Sequence, residues 1–121
     1  MRLIYVLLIV SFVSCKKEEI QIDYPKDIHE IKSVELVRPD EKSNGKFAEI
    51  KKLKESEIVE LLAAIKNSKK AGIIKFKPNF YIVFVTKNNE TKRIKVNGNI
   101  IKGYTNDIGY TISKLAFMAD F

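Results

Sequence analysis

Residues Phe80–Thr86 read FYIVFVT: Phe80, Ile82 and Phe84 fall on one side of an extended chain and Tyr81, Val83 and Val85 on the other. A strand apolar on both faces belongs inside a sheet, with its second face at least partly covered. The rest of the chain must therefore supply neighbours for it. Lys87-Asn88-Asn89-Glu90 turns the chain into Thr91–Val96, where Ile94 and Val96 face in, Thr91, Arg93 and Lys95 face out, and Lys92 breaks the alternation. Asn97-Gly98 reads as the centre of a type I′ turn, because both central residues need positive φ and Asn and Gly tolerate it. Asn99–Tyr104 then returns as a further strand. The back half is an antiparallel meander.

The front half supplies a hairpin and a helix. Ile28–Arg38 carries Ile28, Ile31, Val34, Leu36 and Val37 with a break in alternation that fits a bulge or a partly two-sided strand. Pro39-Asp40 and Ser43-Asn44-Gly45 end it in a turn. Lys46–Leu53 has helical spacing at Phe47, Ile50 and Leu53, but its place after a glycine turn favours a returning strand. Ser56 offers an N-cap, and Ile58, Leu61, Leu62 and Ile65 repeat at i, i+3, i+4, i+7. With Glu57 and Glu60 near the start, Lys69 and Lys70 near the end and Gly72 beyond, one amphipathic helix is expected over Ser56–Lys70. Past Asn106 and Asp107, Ile108, Ile112, Leu115, Ala116 and Ala119 are helically spaced. Gly109, Thr111 and Ile112 oppose a continuous helix and leave open a strand followed by a short helix. The expectation is an α+β fold: an antiparallel sheet of four or five strands, one amphipathic helix on one face, and a C-terminal strand or helix segment closing the core. No cysteine follows Cys15, so the core must hold the fold without disulfides.

The first residues are of a different kind. Arg2 precedes a nearly unbroken apolar run, Leu3–Val13, and then Ser14-Cys15. Residues 3–14 as a helix rise roughly 18 Å, short of a hydrocarbon core about 30 Å thick. A charged start, a short apolar stretch and a small residue at the processing point make a signal peptide rather than a spanning helix. It resembles the bacterial lipoprotein signal, with Val13, Ser14 and Cys15 in the last three positions of the lipobox and Phe12 where an aliphatic residue is usual. The resemblance implies acyl chains on Cys15, the only cysteine, and so a membrane partner held through lipid. Lys17, Glu18 and Glu19 look like the signal that sends Bacteroidetes lipoproteins to the outer face of the outer membrane. A periplasm-facing lipoprotein with a plain charged tether is the alternative. The organisation expected is a signal peptide at 1–14, a lipidated cysteine and flexible tether at 15–27, and a single α+β domain at 28–121.

Charge is unevenly spread. From Lys16 to Ile65 there are ten basic and twelve acidic residues; from Lys66 to Lys102 there are ten basic residues and one acid, Glu90. A basic half at a cell envelope fits an anionic glycan, lipid phosphates or an acidic envelope protein, with nucleic acid an unexpected partner there. The candidate binding patch is Lys75, Phe76, Lys77, Tyr81, Lys92, Arg93 and Lys95, cations interleaved with aromatic rings. The plainer reading puts Phe76, Phe80 and Phe84 in the core and leaves the lysines solvated.

His29 is the only histidine, so a two-histidine metal site is excluded, and a lone histidine at the start of a strand reads as a surface residue rather than as the base of a Cys-His pair or a Ser-His-acid triad. The glycines are scattered and form no phosphate loop, and no metal or cofactor is expected. The function expected is a lipid-anchored, non-catalytic binding or accessory module. The alternatives are an inhibitor or immunity-type protein and a small envelope hydrolase working with acids alone, which would need two carboxylates about 5–10 Å apart in a cleft.

Overall fold

The structure is a computed structural model in which residues 20–39, 47–119 and 121 are described. The signal and export residues Val13, Ser14, Cys15, Lys17, Glu18 and Glu19 lie outside the described residues, as does the Ser43-Asn44-Gly45 turn. A short 3₁₀ turn at Ile28–Glu30, capped by the Asp27 carboxylate accepting from His29 N, leads into β1 (Ile31–Pro39). There follow β2 (Phe47–Lys52), α1 (Glu55–Lys66), β3 (Lys69–Ile73), β4 (Phe80–Thr86), β5 (Thr91–Asn97), β6 (Ile100–Gly103), β7 (Ile108–Thr111) and the single-turn α2 (Ala116–Ala119). All seven strands form one antiparallel sheet in the order β2-β1-β4-β5-β6-β7-β3. The α+β class holds, with two more strands than the upper expectation.

The doubly apolar strand β4 sits inside the sheet between β1 and β5. Phe80, Ile82 and Phe84 are buried, while Tyr81, Val83 and Val85 are half-buried, so the two faces are covered unequally. The inner face joins Val34 and Leu36 of β1, Ile82 and Phe84 of β4, Ile94 and Val96 of β5 and Ile101 of β6, all fully buried. Ile58, Leu61 and Ile65 of α1 pack into the same cluster as the periodicity predicts, with Ala64 buried beside them and Leu62 only partly buried at the margin of the stripe. The chain enters α1 from one sheet edge, β2, and leaves it to the other, β3. Seven strands at about 4.8 Å span about 29 Å, and twelve helical residues cover about 18 Å, so with a two-residue link at each end α1 crosses the strands.

The helix starts and stops earlier than its sequence signals indicate. Ser56 is inside α1; Lys54 occupies the cap position, and its backbone N–H donates to Glu57 Oε1 at 2.9 Å. At the other end Ser68 turns back on the last turn, its hydroxyl and its N–H both donating to Ile65 O at 2.7 and 3.1 Å. That closes α1 at Lys66 and releases Lys69 and Lys70 into β3, which pairs with β7. The edge strand β3 was not expected from the sequence, while β7 followed by α2 is the strand and short helix left open for the C-terminal segment. β3 has no buried residue, and β7 contains Gly109, where a Cβ would come within 3.3 Å of the Ile74 and Ile100 side chains. The ambiguous Lys46–Leu53 segment does form a strand, β2.

The β5–β6 hairpin closes on Gly98-Asn99 rather than Asn97-Gly98, since Asn97 pairs with Ile100. Gly98 has φ +61° and Asn99 is not in the positive region, the pattern of a II′ turn with glycine first. The N-terminal boundary also moves. Residues 20–27 form no helix or strand, as a tether would, yet Ile22 and Tyr24 are buried in the core, with Tyr24 6.4 Å from the Phe84 ring. Tyr110 Oη accepts from Gln21 N, and Asn106 Nδ2 donates to Gln21 O. Packing thus reaches back past Ile28 because Ile22 and Tyr24 both join the core cluster, Tyr24 beside Phe84 of β4.

Candidate functional site

The outer face is read directly from the register. Glu35–Val83–Arg93 forms one row across β1, β4 and β5, and Val37–Tyr81–Lys95–Lys102 forms the next, extending through β6. Tyr104 follows the last registered pair, Ile94–Gly103, and so lies beside Arg93. Its half-exposed ring has the Arg93 guanidinium at 5.9 Å, the Lys95 ammonium at 5.2 Å and the Tyr81 ring at 6.4 Å. Among the described residues no carboxylate pairs with Arg93 or Lys95.

Lys102, next in the row, is paired and only 3% exposed. Its ammonium donates to Ile74 O at 3.2 Å and to Asp107 Oδ1 at 3.3 Å, and stands 4.6 Å from the centre of the Phe76 ring. A buried lysine needs these partners, since an unpaired ammonium out of water is costly. The result is a clip that holds residues 74–78 against the sheet beyond Lys95. Ile74 N donating to Asp107 O completes it.

Of the candidate patch, Tyr81, Arg93 and Lys95 come together, and Phe76 joins them through Lys102. Lys75 and Lys77 are exposed in the clipped segment, where Lys77 O accepts from Asn97 Nδ2. Lys92 departs: it shares the parity of Ile94 and Val96 and emerges at the rim of the inner face. There it binds Asp23 Oδ2 at 2.8 Å and lies 4.0 Å from Glu90. The hydrogen bond and charge of Asp23 raise the Lys92 pKa above the usual lysine range. Phe80 and Phe84 are core, as the plainer reading has them. No family model matches the chain, and neither a curated protein nor a solved structure does. Tyr104 and Lys102 are the two residues that sequence reasoning left out of the patch.

The Arg93–Tyr104 end of this face opens into a cleft of about 440 Å³ lined by Gln21, Asp23, Thr91, Lys92, Thr105 and Asn106 besides those two and Gly103. Its one carboxylate, Asp23, is engaged by Lys92. A second cleft, about 600 Å³, lies at the far end between Arg38, Phe80 and the α2 segment, with Ile112, Leu115, Met118 and Phe121 as its apolar wall. Among the described residues no group of three or more His, Cys, Asp or Glu side chains is placed to hold a metal.

Proposed function

We propose that this chain is a lipid-anchored envelope protein, tethered through Cys15, whose open sheet face holds an anionic glycan. The observation that carries the reading is Tyr104 flanked by two cations, Arg93 and Lys95, that no described carboxylate neutralises. On β5 and β6, Lys92 and Lys102 each have an acid, whereas Arg93 and Lys95 meet the Tyr104 ring instead. An aromatic ring between unpaired cations suits a ligand with flat apolar sugar faces and regularly placed acids. The lipobox-like Val13-Ser14-Cys15 and the following Lys17-Glu18-Glu19 support placement at the outer face of the outer membrane.

Two experiments test the two halves of this reading. Immobilised polyuronate should retain the full chain in a salt-dependent way, and the double variant Arg93→Glu, Lys95→Glu should elute with the void while keeping the wild-type melting temperature. Equal retention of both proteins would sink the glycan reading. For location, protease added to intact cells should remove the wild-type domain. It should leave it protected when Lys17, Glu18 and Glu19 are replaced by Ala, and Cys15→Ala should release the protein from the membrane. Protection of the wild type would move it to the periplasmic side.

A further inference from the structure

The cleft beside Tyr104 differs from the open face next to it: it is concave, and it is lined mainly by residues with polar side chains that leave polar and apolar surface in about equal share. We infer that it is a binding site for a single pyranose unit bearing one acidic substituent, the terminal unit of the anionic glycan; this rests on the glycan reading above. Its volume, about 440 Å³, falls within the range of small-molecule sites, roughly 300–1,000 Å³, and is confined to one end of the sheet. Tyr104 supplies a ring for the apolar face of a sugar. Arg93, with no described acid of its own, supplies a planar fork for a carboxylate or phosphate. Thr91 and Thr105 bring hydroxyls that both donate and accept, as sugar hydroxyls do.

The opposite wall is the segment that comes from the anchor. Gln21 and Asp23 line the cleft, and they are held there by Gln21 N donating to Tyr110 Oη at 2.9 Å, Asn106 Nδ2 donating to Gln21 O at 2.8 Å, and Lys92 donating to Asp23 Oδ2 at 2.8 Å. The Asp23 carboxylate, neutralised by Lys92, can accept a sugar hydroxyl without repelling the ligand's acid. A ligand seated between Tyr104 and residues 21–23 therefore bridges two parts of the chain, and its binding must tighten the docking of the anchor-proximal segment.

The experiment is a nuclear magnetic resonance titration of the full chain in detergent micelles with methyl glucuronide, glucose 6-phosphate, methyl glucoside and inorganic phosphate, each at millimolar concentration. One or both acidic sugars should shift the Thr91, Thr105 and Asn106 resonances and slow hydrogen exchange at Gln21 N. The neutral glucoside should bind at least about tenfold more weakly, as should Arg93→Gln with the acidic sugars. Equal binding of the neutral sugar, or equal binding of phosphate alone, overturns the inference. So does silence towards every monosaccharide from a protein that polyuronate still retains, an outcome that leaves the open-face reading standing. Loss of both polymer and monosaccharide binding removes both.

Discussion

The two faces of the sheet are made by the same strands and differ in what covers them. On the inner face Val34, Leu36, Ile82, Phe84, Ile94, Val96 and Ile101 meet α1, the Ile22–Tyr24 segment and Phe117 and Met118, and every side chain named from the sheet is out of water. On the outer face Tyr81, Val83, Val85 and Lys95 remain half-buried and Arg93 and Tyr104 exposed, with residues 74–78 clipped down at one side by Lys102. With a period of two, β4 and β5 contribute to both faces without either constraining the residue types of the other. The inner face fixes the fold, and the outer face is left free to carry charge that no described carboxylate pairs with.

The comparison breaks most severely at Phe84. It is fully buried and touches Tyr24, so Phe84→Ala should cost about 3–5 kcal/mol in urea denaturation, while the molecules that remain folded keep their affinity for polyuronate. Lys102, as buried as Val37 in the same row, is the outer-face cation with an inner-face burden. Lys102→Met removes the donor to Ile74 O and Asp107 and the cation beside Phe76, and should cost about 1–3 kcal/mol and expose residues 74–78 to protease.

Alkaline pH probes the seam between the faces at the N-terminal segment. Burial raises the Tyr24 pKa above its ordinary 10.0, and the Asp23 partner raises that of Lys92 above 10.5. In both cases the folded state holds its proton more tightly than the unfolded state. Their contribution is complete below about pH 10 and falls away as pH rises through the folded values. The melting temperature should therefore drop from about pH 9 to about pH 11, and Tyr24→Phe should flatten part of that drop. The smallest effect on stability belongs to Arg93→Glu with Lys95→Glu, within about 0.5 kcal/mol, since neither cation has a described acid to lose.

How far the sequence could be read follows the same division. The inner face was legible because burial enforces period: FYIVFVT, Ile94 with Val96, and the α1 stripe each name their own side. The β3 edge was not. β3 buries nothing, and its lysines serve equally well as a helix terminus until Ser68 takes the Ile65 carbonyl. The site was half legible, and one turn decided which half. A turn centred on Asn97-Gly98 would set Arg93 opposite Lys102. The Gly98-Asn99 turn sets Lys95 opposite Lys102 and brings Tyr104 beside Arg93. Sliding the turn by one residue keeps every side chain on its face but changes its neighbours, which is why the cations were found and their aromatic centre was not. The Ile22–Tyr24 packing was announced only by a short alternation, Ile20-Gln21-Ile22-Asp23-Tyr24, which stops at Pro25 and forms no strand.

The division of labour between the faces is tested most directly by methyl resonances during titration with a short polyuronate. Val83 and Val85 report the outer face and Ile82, Ile94 and Val96 the inner face of the same two strands. Shifts at Val83, which lies in the row with Arg93, and at Val85, without movement at Ile82, Ile94 or Val96, are the predicted result. Shifts centred on the inner-face methyls, or on Ile112, Leu115 and Met118 of the far cleft, would contradict it.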